Sequence, residues 1–136
     1  MRSLGLDVGD KRIGVALSDP GGILASPYTI IDRTDEKQDI EAIIEIVSQN
    51  QVSQIVVGFP RSMNGSIGRQ AEKVKAFIER LCSYTDIPVV FRDERLTTVS
   101  AKRLMQEAST RKPRKKTRYD AAAAAIILQG FLDERF

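Results

Sequence analysis

Histidine is absent from the 136 residues, and that absence constrains the chemistry more than any other feature. Neither a Ser-His or Cys-His nucleophile pair nor a His-ligated zinc site can be assembled. The carboxylates, lysines and hydroxyls that remain suit hard, oxygen-ligated cations. Cysteine occurs once, as Cys82, which excludes an internal disulfide and fits a reducing, cytoplasmic setting. Cys82 falls in a helical stretch with no neighbouring base, so it reads as a small core or semi-buried residue rather than a nucleophile. Tryptophan is missing and aromatics make up 6%, which argues against a base-stacking platform for single strands. Long apolar runs are missing too. The longest, Ala121 to Leu128, falls far short of the roughly 20 residues that span a bilayer. Gly5, Asp7 and Gly9 interrupt any signal-peptide core at the N-terminus. No membrane association is expected.

The hydrophobic fraction of 42% and charged fraction of 29% belong to an ordinary globular protein. The length allows one domain, residues 1–136, with a proper core. The net charge is only +3, but the positive residues are unevenly placed.

The chain is organised around Leu4 to Asp19. Two short apolar runs flank a Gly-Asp-Lys-Arg corner, the pattern of two antiparallel strands joined by a tight turn. Asp7 interrupts the first run. A carboxylate at the end of a buried strand is costly unless paired, hydrogen-bonded or holding a metal. Gly5, Gly9 and Gly14 leave the backbone bare beside it, so something bulky can approach closely.

Ile23 to Ile31 reads as a third strand, at an edge or broken at Pro27. Asp35 can cap a helix whose apolar face is Ile40, Ile43, Ile44 and Val47. Gln54 to Gly58 is a β-branched run suited to a parallel strand buried on both faces. Arg61 to Gly68 reads as a loop in which Ser66 can cap the next helix. That helix shows Val74, Phe77, Ile78 and Leu81 at helical spacing. Ile87 to Arg92 is a further strand. Thr97 or Thr98 opens a third helix, with Val99, Leu104, Met105 and Ala108 inward. A last helix runs from about Tyr119 to Leu132. The order β-β-β-α-β-α-β-α-α predicts an α/β fold with a mostly parallel sheet and helices on both faces.

Three acidic positions sit at element ends: Asp7 at the end of the first strand, Glu94 after the last strand beside Asp93, and Asp120 in the first turn of the final helix. Ligands of open α/β sheets bind at the carboxyl ends of the strands, where strand order reverses. Small side chains from Ala121 to Ala125 would let the last helix approach the sheet. Three convergent carboxylates would hold divalent cations, and two such ions clamp the attacking water and leaving oxygen of a phosphodiester. Each acid also has a simpler reading: Asp7 as a turn residue, Glu94 as a partner of Arg95, Asp120 as a helix-dipole residue.

Arg111, Lys112, Arg114, Lys115, Lys116 and Arg118 lie just before Asp120. A charge run is usually a solvated loop, but this position would set a phosphate-attracting surface beside the acids. Lys11, Arg12 and Arg95 would extend it. A duplex, a junction or structured RNA is the expected partner.

These stretches together resemble the YqgF family, also called RuvX and described as Holliday junction resolvases. The resemblance runs through Gly5-Leu6-Asp7-Val8-Gly9-Asp10-Lys11-Arg12-Ile13-Gly14-Val15-Ala16, Val57-Gly58-Phe59-Pro60, Asn64-Gly65-Ser66, Asp93-Glu94-Arg95-Leu96-Thr97-Thr98 and Asp120 to Gln129. It implies an RNase H-like fold, with a mixed five-stranded sheet and helices on both faces. It implies a nuclease that matures the 5′ end of pre-16S ribosomal RNA, some members being linked instead to Holliday junction resolution. It carries the family's acidic triad onto Asp7, Glu94 and Asp120. Ile67 and Arg69 depart from the acidic residue and proline of the family's loop.

The expected activity is therefore that of a Mg2+- or Mn2+-dependent endonuclease with two ions, acting on pre-rRNA or branched DNA with water as nucleophile. Two other readings stay open. One is a nucleotide-binding phosphotransferase, because Asp7-Val8-Gly9 resembles the phosphate loop of actin-like ATPases. The other is a non-catalytic nucleic-acid-binding factor in ribosome assembly or transcription.

Overall fold

A computed structural model of the chain describes residues 2–59, 68–93 and 116–134, with Asp93 and residues 116–120 described by their backbone alone. Strand β1, Arg2–Val8, pairs antiparallel with β2, Arg12–Ser18, so that Asp7 stands opposite Gly14. The corner between them is tight: the Gly9 N–H donates to the Arg12 carbonyl at 2.8 Å. A Cβ at Gly9 would lie 2.9 Å from that oxygen, so the close approach requires glycine.

Strand β3, Ala25–Asp32, lies at the sheet edge against β2, with a register shift opposite Pro27. The edge half of the Pro27 reading holds, but the strand runs unbroken through Pro27; the register shift beside it fits a residue with no N–H to give the ladder. Strand β4, Val52–Phe59, runs parallel between β1 and β5, Val89–Asp93. The sheet order is β3-β2-β1-β4-β5. Ile55, Val56 and Val57 are fully buried, as expected of a strand covered on both faces.

Alternation along the strands divides the interior in two. On one face Leu4, Leu6, Val8, Ile13, Val15, Ile55 and Val57 pack against two helices. These are α1, Glu36–Gln49, through Ile40, Ile43 and Val47, and α2, Arg69–Cys82, through Val74, Phe77, Ile78 and Leu81. Each such large side chain, fully buried, contributes about 1.5–3 kcal/mol relative to exposure. On the other face Ala16 and Val56 pack against α3, Lys116–Asp133, through Ala124, Ile127, Leu128 and Leu132. The Asp35 carboxylate caps α1 by accepting from the Gln38 N–H at 2.8 Å.

Helix α2 starts at Arg69 with Gly68 at its N-cap; Ser66, expected to cap it, lies outside the described residues. Two expectations change. Cys82 is exposed; as the last residue of α2 it lies one position beyond buried Leu81 and turns away from the core. Helix α3 begins at Lys116 rather than near Tyr119, which moves Asp120 from the first turn into the second. The helix expected after Thr97 or Thr98 lies outside the described residues. Among the described residues, no helix is long and apolar enough to cross a membrane.

Candidate active site

From β1 the chain moves outward through β2 and β3 in one direction, and through β4 and β5 in the other. The β1–β4 boundary is thus the switch point of the sheet, and its ligand-binding side is the carboxyl end of β1, β4 and β5. Asp7 stands at that end of β1, half-buried. Its neighbours in the sheet are Gly14 on β2 and, one step past the Leu6–Val57 pair, Gly58 on β4. A half-buried carboxylate therefore rises between two residues without side chains.

The strand's alternation puts Asp7 on the same face as Gly5, and Gly5 lies directly under α3. A Cβ at Gly5 would come within 2.8 Å of the Leu128 Cβ and 2.9 Å of the Ala124 carbonyl oxygen. What occupies the bare backbone at Gly5 is thus the helix itself, admitted by the alanine run.

The direction of α3 follows from Gln129. Its side chain accepts from the Ala25 N–H and donates to the Ile23 carbonyl, both at 2.8 Å. Ala25 pairs with Ser18, whose hydroxyl accepts from the Ser3 N–H, so Gln129 marks the amino end of β1. Helix α3 therefore runs from the carboxyl end of β1 toward its amino end. Asp120 lies four residues before Ala124, about 6 Å along the axis, toward the end that carries Asp7. Strand β5 ends at Asp93, opposite Phe59, and Glu94 follows immediately but lies outside the described residues. The backbone thus brings Asp7 and the Asp120 turn to one end of one sheet face, and β5 ends at Asp93 on the same edge of the sheet.

The basic residues expected to bind nucleic acid fall into three groups. Lys11 is exposed at the tip of the hairpin. Arg12 is partly exposed, its Nε 3.8 Å from Asp32 Oδ1. Arg95, Arg111, Lys112, Arg114 and Lys115 lie outside the described residues. Lys116 and Arg118 are in the first turn of α3, upstream of Asp120. Arg92 shares the face of Asp7, but its guanidinium pairs with Glu134 and lies against Gly130, turned toward the far end of α3.

The carboxyl of Asp19 is held below its usual range, chiefly by the N–H of Leu24 and then that of Ile23. Asp19 sits at the opposite end of the sheet, so this shift belongs to the β2–β3 loop.

Reading the sequence for sites passed over Arg33 and Asp39. The Arg33 Nε donates to Asp39 Oδ2 at 3.2 Å, and its Nη1 donates to the Gly9 carbonyl at 3.0 Å. Asp39 is 2% exposed. The only signal was an acidic residue beside Ile40, on the buried side of a helix whose other inward positions are apolar.

The family model described as "RuvX: Holliday junction resolvase" matches residues 1–134. A protein of Desulforamulus reducens is 47% identical over 133 residues, 98% of this chain and 97% of the relative. One of Caldanaerobacter subterraneus subsp. tengcongensis is 52% identical over 137 residues, 99% and 98% of the two chains. Both carry the name "Putative pre-16S rRNA nuclease". Among solved structures, Thermus thermophilus RuvC in complex with a Holliday junction substrate superposes with a TM-score of 0.65 at 12% identity, over 99% of this chain and 95% of that one. The fowlpox virus Holliday junction resolvase gives 0.57 at 13% identity, over 98% and 99%. These two likenesses speak for the fold, an RNase H-like α/β sheet with helices on both faces. The match across residues 1–134, with near-half identity to full-length relatives, shows that the chain belongs to the RuvX family.

Proposed function

We propose that this chain is a metal-dependent endonuclease that hydrolyses phosphodiester bonds, with the 5′-end maturation of pre-16S ribosomal RNA as its task. The observation that carries the reading is Asp7: a half-buried carboxylate at the switch point of the sheet, with the upstream turns of α3 directed toward it.

Asp7, Glu94 and Asp120 would hold the ions. Carboxylate oxygens without histidine or thiolate suit Mg2+ or Mn2+. Bound divalent ions acidify water and stabilise charge on the leaving oxygen. The chain's own part is to fix the carboxylates before substrate arrives. The β1–β2 ladder and the glycine corner hold Asp7, and the contact of α3 with Gly5 sets the height of the Asp120 turn above the sheet. Lys11, Arg12, Arg95 and the basic residues from Arg111 to Arg118 would seat the phosphate backbone without reading its sequence. Water, not a side chain, would be the nucleophile. A reducing, cytoplasmic location fits the single exposed thiol.

The family description and the RuvC complex favour a second substrate, the four-way DNA junction. The relatives' names favour pre-rRNA. A cleavage assay with Mg2+ or Mn2+ on a precursor 16S fragment and on a four-way DNA junction decides. Cleavage of the RNA with the junction intact is the expected result. Metal-dependent junction cleavage alone moves the function to recombination. Salt-sensitive binding of both without cleavage leaves a non-catalytic factor in ribosome assembly or transcription and overturns the proposal.

A further inference from the structure

Arg33 follows directly on β3, and its side chain reaches back toward the β1–β2 corner and α1. Its N–H donates to the Lys11 carbonyl at 2.9 Å. Its guanidinium spans two elements: Nη1 reaches the Gly9 carbonyl at 3.0 Å, and Nε reaches Asp39 on α1 at 3.2 Å. The group lies 4.8 Å from the centre of the Phe77 ring on α2. The second oxygen of Asp39 accepts from the Thr34 N–H at 3.1 Å, so the buried carboxylate is engaged at both oxygens. Two weaker ties join α2 to the same corner: Gln70 Nε2 to the Val8 carbonyl at 3.4 Å, and Lys73 to Asp10 at 3.5 Å.

The result is a corner, residues 8 to 11, held from α1, α2 and the end of β3. It begins one residue after Asp7. A buried ion pair is weak as a stabilising device, and apolar residues of similar volume often serve as well. Its distinctive capacity is geometric, because the planar guanidinium offers donors in a fixed fork that lysine lacks.

We propose that Arg33 is a positioning residue for Asp7. By fixing the Gly9 carbonyl it sets where β1 ends and how the Asp7 carboxylate is presented to a divalent cation. The inference rests on the reading of Asp7 as a metal ligand. Arg33 itself touches neither metal nor substrate.

The test measures Mn2+ binding by electron paramagnetic resonance, together with kcat, KM and the Mn2+ dependence of cleavage. The proteins are wild type, Asp7→Asn, Arg33→Lys and the double variant Arg33→Met with Asp39→Leu. The double variant removes the pair without leaving a buried charge. It should keep wild-type thermal stability within a few degrees and bind Mn2+ about tenfold more weakly, the scale of losses from groups that orient metal ligands. Its kcat should fall, recover at raised Mn2+, and leave KM for the nucleic acid within about twofold. Arg33→Lys should show the same pattern and carries the test if the double variant does not fold. Wild-type Mn2+ affinity in a folded Arg33 variant overturns the inference, as does a kcat loss that raised Mn2+ leaves unchanged. Asp7→Asn separates the two ideas. If it still binds Mn2+ like wild type, the metal reading itself falls; if it alone loses Mn2+, only the role of Arg33 falls.

Discussion

Replacing Gly5 with alanine adds one methyl group at the closest approach of α3 to the sheet. The new Cβ would meet the Leu128 Cβ at 2.8 Å and the Ala124 carbonyl oxygen at 2.9 Å, where ordinary contact begins near 3.4 Å. Helix and strand must therefore separate locally by about 0.6 Å. Neither obstacle can swing aside, since one is backbone and the other is fixed to it. Overpacking of this kind costs about 1–3 kcal/mol, which for a chain of this size lowers Tm by roughly 3–12 °C. The same displacement lifts the turn that carries Asp120 relative to Asp7. Catalytic groups tolerate about 0.5 Å of misplacement, and 1 Å can cost about a hundredfold, so cleavage should fall by about ten- to a hundredfold. Calorimetry and a single-turnover cleavage assay at saturating Mn2+ read the two effects. Trimming Leu128 to alanine as well gives no rescue, because the obstructing Cβ remains. Wild-type Tm and rate in Gly5→Ala, or full rescue by Leu128→Ala, would refute the reasoning.

Other outcomes follow from single contacts. Asp35→Ala removes the cap on the Gln38 N–H and should cost about 1 kcal/mol by urea denaturation, with cleavage unchanged at temperatures where the fold persists. Phe77→Ala opens the core under α2, where the ring is 2% exposed, and should cost about 3–5 kcal/mol. The Asp19 carboxyl sits below its usual range when its loop is folded. The loop's stabilisation is therefore present above the unfolded carboxylate value and lost as pH falls through and below about 4. The amide resonances of Ile23 and Leu24 should follow this titration, and Asp19→Asn should abolish it. Nucleic-acid affinity should fall linearly in log–log form with salt, measured by fluorescence anisotropy between low and physiological ionic strength.

The parts of the fold most legible in the sequence are those with a strict period or strong local chemistry. The β-branched run Ile55-Val56-Val57 became the central parallel strand. The Ile40 and Val74 stripes became the inner faces of α1 and α2, and Asp35 became a cap. The alanine run was read as a close-packing surface and is one, because the Ala124 carbonyl meets Gly5. Less legible were features decided by distant contacts. The start of α3 at Lys116 was obscured by a run of charges that suggested loop, although lysine and arginine are good helix formers. The outward turn of Cys82 depended on where α2 stopped. The Arg33–Asp39 pair joins residues six apart to the Gly9 carbonyl, a tertiary arrangement with no period to announce it. Of the acidic positions, Asp7 stood out because a carboxylate interrupts an apolar strand, whereas the end of the sheet toward which the Asp120 turn lies depends on the direction of α3, which no sequence pattern announces.

The most direct test of the central claim compares wild type with Asp7→Asn in the same metal-supplemented reaction, reading cleavage and nucleic-acid affinity together. The isosteric change should leave binding and Tm near wild type while cleavage falls to background, because the charge proposed to hold the divalent ions is gone. Wild-type cleavage by Asp7→Asn would contradict the account.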